Sequence, residues 1–136
     1  MECIFCKIAA GEIPSLKILE NDRIVSFLDI RPLADGHLLI IPKRHYGRLE
    51  EVSPDDLKSV AEILPKLAQA LVRATGAAGY NLLQNNGACA GQEVEHVHFH
   101  LIPRRADDGL GYRWNPKKYA EGKDKQMQQK LLAELP

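Results

Sequence analysis

The stretch from Ser53 to Gly76 constrains the fold more than any other part of the chain. Ser53 suits a helix N-cap, Pro54 suits the first helical position, and Asp55 and Asp56 favour the positive end of the helix dipole. Apolar residues then recur at Leu57, Val60, Ala61, Leu64, Leu67, Ala68, Leu71 and Val72, three and four apart. This spacing predicts one long helix with one buried face, ended by Gly76. Pro65 falls inside it and predicts a kink, because proline lacks an amide proton and crowds the preceding turn. A helix of this kind needs a broad apolar surface to lie on.

Short apolar runs on both sides can supply that surface. Residues 16–20, 24–29 and 37–41 read as strands before the helix, and residues 80–84 and 94–102 as strands after it. Asn21-Asp22 supplies turn chemistry between the first two, while Pro42 and Pro103 close the third and the last. Residues 5–10 form a short helical turn ended by Gly11, and residues 125–135 are mildly helical. Hairpin-like strands, one long helix, then more strands indicate an α+β fold with a mostly antiparallel sheet. A length of 136 residues suits a single domain, 1–136, with a polar tail from about residue 106.

Eighteen basic and eighteen acidic side chains cancel, which argues against a general nucleic-acid or membrane-surface binder. No apolar run reaches the ~20 residues that span a bilayer. The N-terminus lacks the basic-then-apolar layout of a secretory signal, so a cytoplasmic location is expected. Three cysteines, Cys3, Cys6 and Cys89, are an odd number and do not suggest a disulfide framework.

Three of the five histidines fall at period two: His96, His98 and His100. On a strand they would share one face, while Val97, Phe99 and Leu101 point the other way. Three readings are open. The run is a surface strand that happens to carry histidines, a His-x-His metal site, or a centre of nucleophilic catalysis. The last is chemically sound because a neutral imidazole is a competent nucleophile near pH 7.

The run His96-Val97-His98-Phe99-His100-Leu101-Ile102 resembles the signature of the histidine-triad family of nucleotide hydrolases and transferases. The resemblance covers nearly the whole chain. It includes Cys3-Ile4-Phe5-Cys6-Lys7-Ile8, Phe27-Leu28-Asp29-Ile30, and the block from His37 to His45. Asn85-Asn86-Gly87, Ala90-Gly91-Gln92 and Leu101-Ile102-Pro103-Arg104 complete it in register. It implies the family fold, with a five-stranded antiparallel sheet, one long helix and a short N-terminal helix.

The resemblance also implies roles. His98 would attack the α-phosphorus of a purine nucleotide of the AMP type, forming a nucleotidyl-histidine that water then opens. The substrate would be a nucleoside phosphoramidate or a dinucleoside polyphosphate. His100 would bond phosphate or the scissile bridging atom. Gln92, Asn85 and the Gly91 amide would hold phosphate oxygens. Asp29 would accept both ribose hydroxyls, although a turn role is the default for such a residue alone. Ile4, Phe5, Ile8, Phe27, Leu28 and Ile30 would form the base pocket; without the resemblance they read as core. A homodimer is expected, with Trp114 at the interface or folded back on the domain.

Glu93 departs from the pattern, standing where relatives often carry Ser or Thr. A carboxylate facing phosphate would repel it, so Glu93 should turn outward or serve the leaving group. The resemblance further implies a structural zinc held by Cys3, Cys6, His45 and His96, because related Cys-x-x-Cys members pair the motif with such histidines. The alternative is a pair of reduced, buried cysteines. His37 either sits near the triad or is a satisfied interior histidine. Two other functions compete: a nucleotide-binding regulatory module with little turnover, and a hydrolase using His96, His98 and His100 as catalytic zinc ligands.

Overall fold

The computed structural model describes residues 2–111 and 115–136. Its elements run α1 (Ile4–Ala9), β1 (Lys17–Glu20), β2 (Ile24–Leu28), β3 (Leu38–Pro42), α2 (Pro54–Thr75), β4 (Gly79–Gln84), β5 (Phe99–Arg104) and α3 (Lys123–Glu134). The five strands form one sheet in the order β1-β2-β3-β5-β4, antiparallel at every pairing. The expected α+β architecture is the one observed.

Helix α2 starts and stops as its sequence dictates. The Ser53 hydroxyl accepts from the Asp56 amide, and Gly76 closes the helix in the left-handed region at φ 65°. The helix runs unbroken from Pro54 to Thr75, so Pro65 does not end it. Packing of its buried face outweighs the one hydrogen bond that proline removes.

That face fixes which side of the sheet does what. Val60, Ile63, Leu67 and Leu71 pack on Ile24, Leu38, Ile40 and Leu101, with Leu28 and Phe99 at the edge of the cluster. The alternate residues of the same strands, Val25, Phe27, Leu39 and Ile41, point to the other side and pack against Phe5 and Ile8 of α1. Because Leu39 pairs with His100 across β3 and β5, the histidine side is the α1 side. Each fully buried apolar side chain here contributes about 1.5–3 kcal/mol.

Three boundaries differ from expectation. Strand β5 begins at Phe99, not at residue 94, because residues 94–98 bend: the His96 amide donates to the Val94 carbonyl, and the Val97 amide to the Tyr46 carbonyl. Pro42 ends β3 as expected, whereas Pro103 lies inside β5, paired with Tyr80. Helix α3 spans Lys123–Glu134 and is exposed along its length. Trp114 lies outside the described residues. No helix among the described residues is long and apolar enough to cross a membrane.

Candidate active site

The bend before β5 breaks the expected ladder of three imidazoles. His96 is fully buried and turns toward the N-terminus, whereas His98 and His100 stay together with ring centroids 4.9 Å apart. The three do not converge on one point, so they cannot share a catalytic metal. Among the described residues the metal-competent groupings are Cys3, Cys6, His45 and His96, and, separately, Asp29, His37 and His100.

The first grouping has the chemistry and spacing of a structural site. Cys3 caps α1, and its sulfur accepts from the Cys6 amide, which brings both sulfurs to one end of the helix. His96 Nδ1 lies 3.3 Å from Cys3 Sγ and 3.5 Å from Cys6 Sγ, and His45 Nδ1 lies 3.4 Å from Cys6 Sγ. Tetrahedral zinc with ordinary Zn–S and Zn–N bonds needs ligand separations of roughly 3.4–3.8 Å. His96 Nε2 donates to the Pro42 carbonyl at 2.8 Å, so its Nδ1 keeps the lone pair a metal requires. Without a cation, burial and then the Cys3 neighbour push the Cys6 thiol up to about 11. The four residues fit a zinc ion and could hold one.

The second grouping is a proton network. The Leu33 amide donates to His37 Nδ1 at 3.1 Å, which leaves the proton of the neutral ring on Nε2. His37 Nε2 then donates to His100 Nδ1 at 2.9 Å, leaving no lone pair there for a metal. His100 in turn carries its proton on Nε2. His37 thus joins the triad. The signal was its position: it lies two residues before Leu39, which pairs with His100.

His98 is held differently. Its Nδ1 donates to the His96 backbone carbonyl at 2.7 Å, so Nε2 carries the lone pair. Its ring meets the edge of Phe5 at 5.1 Å between centroids. Burial lowers the pKa of His37, His96, His98 and His100 below the ordinary imidazole value; His100 falls to about 4, with His98 and His37 adding to the effect. At neutral pH both triad rings at the end of the sheet are uncharged and, among the described residues, one has a free lone pair and the other a free N–H.

The surrounding loop modifies several expectations. Gln92 is buried and its side chain is engaged within the protein: Oε1 accepts from the Gly87 amide, and Nε2 donates to the Gly47 and Val94 carbonyls. Both of its N–H donors are engaged by backbone carbonyls, one on the Gly47 segment and one in its own loop, so it ties the two together. The Gly91 amide donates to the Ala88 carbonyl within a turn. What Gly91 supplies is a φ of +96°, which a side chain would strain, next to the Asn85 amide. The Asn85 side chain has no hydrogen bond among the described residues and keeps its donor.

Asp29 accepts from the Arg31 amide through Oδ1, the turn role, and its Oδ2 lies 3.7 Å from His37 Nε2. Its remaining lone pairs are open to hydroxyls. The apolar set divides. Phe5, Ile8 and Phe27 are packed into the α1 core, and Leu28 turns to the α2 side, away from the histidines. Ile4 at 47% and Ile30 at 86% exposure are the members with surface to offer a base. Glu93 is exposed, as its charge demands.

The α+β fold thus sets neutral, oriented histidines at the end of an antiparallel sheet, beside a metal-competent cysteine pair. The HIT domain family matches residues 10–107, and the chain belongs to that family. It is 44% identical over 138 residues to a Candida albicans protein named adenosine 5'-monophosphoramidase, covering 98% of this chain and 91% of that one. It is also 44% identical over 128 residues to an Arabidopsis thaliana protein named adenylylsulfatase, covering 94% of this chain and 65% of that one. A solved HIT-family structure from Bacillus subtilis superposes with a TM-score of 0.94 at 37% identity, covering 100% and 99% of the two chains. A zinc-bound histidine-triad protein from Mycobacterium smegmatis gives 0.76 at 37% identity, with 86% and 85% covered.

Proposed function

We propose that this chain is a nucleoside-monophosphate hydrolase or transferase of the adenosine phosphoramidase type, working through a covalent nucleotidyl-His98. One observation carries the reading. The His96 carbonyl accepts a hydrogen bond from the Nδ1–H of a neutral, buried His98, which leaves Nε2 as a nucleophile at pH 7. The name of the Candida albicans relative supports the same substrate class.

The atoms balance in two steps. The Nε2 lone pair of His98 forms a bond to the α-phosphorus as the P–N or P–O bond to the leaving group breaks. The leaving atom takes the bonding pair and a proton from solvent. Water then bonds to the phosphorus of the adduct as the P–Nε2 bond breaks and returns its electron pair to His98; the water's proton goes to solvent, and the nucleoside monophosphate is released. His100, neutral with its proton on Nε2, donates a hydrogen bond to phosphate or the bridging atom without giving up the proton. Asn85 donates to the phosphate, Asp29 receives the ribose hydroxyls, and Ile4 and Ile30 border the base. The Gly91 turn, with Gln92 behind it, keeps the loop in place for this work.

Zinc at Cys3, Cys6, His45 and His96 would have a structural role, tying α1 to the segment that orients His98. The reading includes a cytoplasmic homodimer, for which the three free cysteines suit a reducing compartment. Incubation with an adenosine phosphoramidate labelled at phosphorus tests the mechanism. An acid-labile adduct, located by mass spectrometry on His98 and lost in His98→Ala together with turnover, is the expected result. Tight nucleotide binding with no turnover would instead favour a regulatory module.

A further inference from the structure

The cysteine and histidine cluster at the start of α1 is unevenly covered. The Sγ atoms of Cys3 and Cys6 and one ring nitrogen each of His45 and His96 all lie within 4.8 Å of one another. His96 closes the buried side, whereas both cysteines are half-buried and His45 is exposed, so the sulfurs are open from the His45 side. The pair is also placed to bond to itself. The Lys7 amide donates to the Cys3 carbonyl, closing a turn that carries both cysteines. Residues three apart on a helical turn have Cα atoms about 5 Å apart, inside the range of roughly 4.4–6.8 Å that a disulfide accepts. The same short helix bears Phe5, whose ring centroid lies 5.1 Å from that of His98 and 5.9 Å from that of His96. Whatever joins the two sulfurs to His45 and His96 therefore also seats Phe5 against the proposed nucleophile.

We propose that Cys3 and Cys6 are a redox modification site: a hydroperoxide converts them to a disulfide, which releases zinc and unseats α1 from the histidine segment. The inference rests on the zinc reading above and gives its sulfur ligands a second function. As metal ligands both sulfurs are thiolates. One bonds to a peroxide oxygen as the O–O bond breaks, giving a sulfenic acid and, from hydrogen peroxide, hydroxide. The second thiolate bonds to that sulfur as its S–O bond breaks, releasing another hydroxide. Each hydroxide takes a proton from solvent. The sulfurs lose two electrons, the peroxide gains two, and two waters form. The disulfide keeps no thiolate, and His45 and His96 alone are half the set that tetrahedral zinc needs.

The Cys89→Ser protein tests this cleanly, because it keeps only the two cysteines of the cluster. Loaded with zinc and treated with hydrogen peroxide beside a chromophoric chelator, it is expected to lose one zinc ion and two thiols per chain together. An untreated sample in the same chelator sets the baseline. The tryptic peptide 1–7 should appear lighter by two hydrogens, and dithiothreitol should restore both thiols and zinc binding. Cleavage by trypsin after Lys7 should run about tenfold faster in the oxidised protein than in the zinc-loaded one, because a loosened helix opens more often. Reduced, metal-free protein should be cut as fast as the oxidised form. Zinc retained under peroxide, thiols lost to sulfinic acid without a bridge, or an unchanged rate of cleavage after Lys7 overturns the proposal and leaves the zinc site standing. Protein that takes up no zinc overturns both.

Discussion

His37 Nε2 lies 2.9 Å from His100 Nδ1, and the Leu33 amide on the far side of the His37 ring decides which of the two donates. The relay ends in an N–H on His100. His37→Ala removes the relay and lets His100 adopt either tautomer. We predict a fall in kcat of roughly tenfold, corresponding to ~1.4 kcal/mol for one hydrogen bond in a buried site, with KM changed by less than about threefold. Steady-state kinetics with an adenosine phosphoramidate measures both. A change confined to KM would contradict the assignment.

The pH profile follows from the lowered imidazole values. Both triad rings must be neutral to work, and burial holds both below the ordinary 6.5, His100 at about 4. Activity is therefore expected to stay level from about pH 8 down to 6.5 and to decline only below it. An acid limb centred at or above 6.5 would contradict the neutral-ring mechanism.

The same shift makes a stability statement. Between about 4 and 6.5 the unfolded chain binds a proton at His100 that the folded chain does not. Stability is then full above 6.5 and falls as the pH drops toward 4. Urea unfolding at several pH values should show this slope, and His100→Asn should make it shallower.

The zinc reading predicts one metal ion per chain by elemental analysis of protein purified without chelator. Cys6→Ser should lose the metal and lower the melting temperature by roughly 5 °C or more, since metal binding adds to folding energy. Equal stability with and without zinc would remove its structural role.

Asp56 is a second structural anchor. It is buried in α2, accepts from the Tyr46 hydroxyl at 2.6 Å and from Arg23 at 2.8 Å, and is held below the ordinary carboxyl range chiefly by Tyr46. Asp56→Asn should cost about 2 kcal/mol in denaturant unfolding near pH 7. Its contribution is present above pH 3.8 and lost as the pH falls through the lower folded value, so the variant and the wild type should converge in strong acid.

The legible parts of the fold were those with a repeating physical signal. The three-and-four spacing of α2, with Ser53 and Gly76 at its ends, specified the helix, and short apolar runs specified five strands. The departures came where tertiary contacts overrode a local rule. Pro65, itself exposed, stays helical because Val60, Ile63, Leu67 and Leu71 bury another face of the helix, and Pro103 stays in β5, where it pairs with Tyr80. Within the site, residue identities were legible but not orientations. Nothing in the period-two run reveals that the Val97 amide is claimed by Tyr46, the contact that accompanies the bend separating His96 from His98. Gln92 likewise reads from sequence as an anion ligand, whereas its side chain bonds three backbone groups, two in its own loop and one at Gly47.

The two histidines at the centre are oriented by different kinds of atom. His98 leans on a main-chain carbonyl, which every residue type at position 96 would still provide. His100 leans on a side chain that a single codon change at position 37 can remove. Mutational drift should therefore reach the two halves of the chemistry unequally. Under the proposed mechanism, a lineage could exchange His96 and still inherit a correctly aimed His98, provided the local backbone held its course. It could not alter position 37 without removing the hydrogen bond that orients His100. The site is robust where bonds are made and fragile where charge is steadied, so loss-of-function variants outside the triad itself should concentrate around position 37.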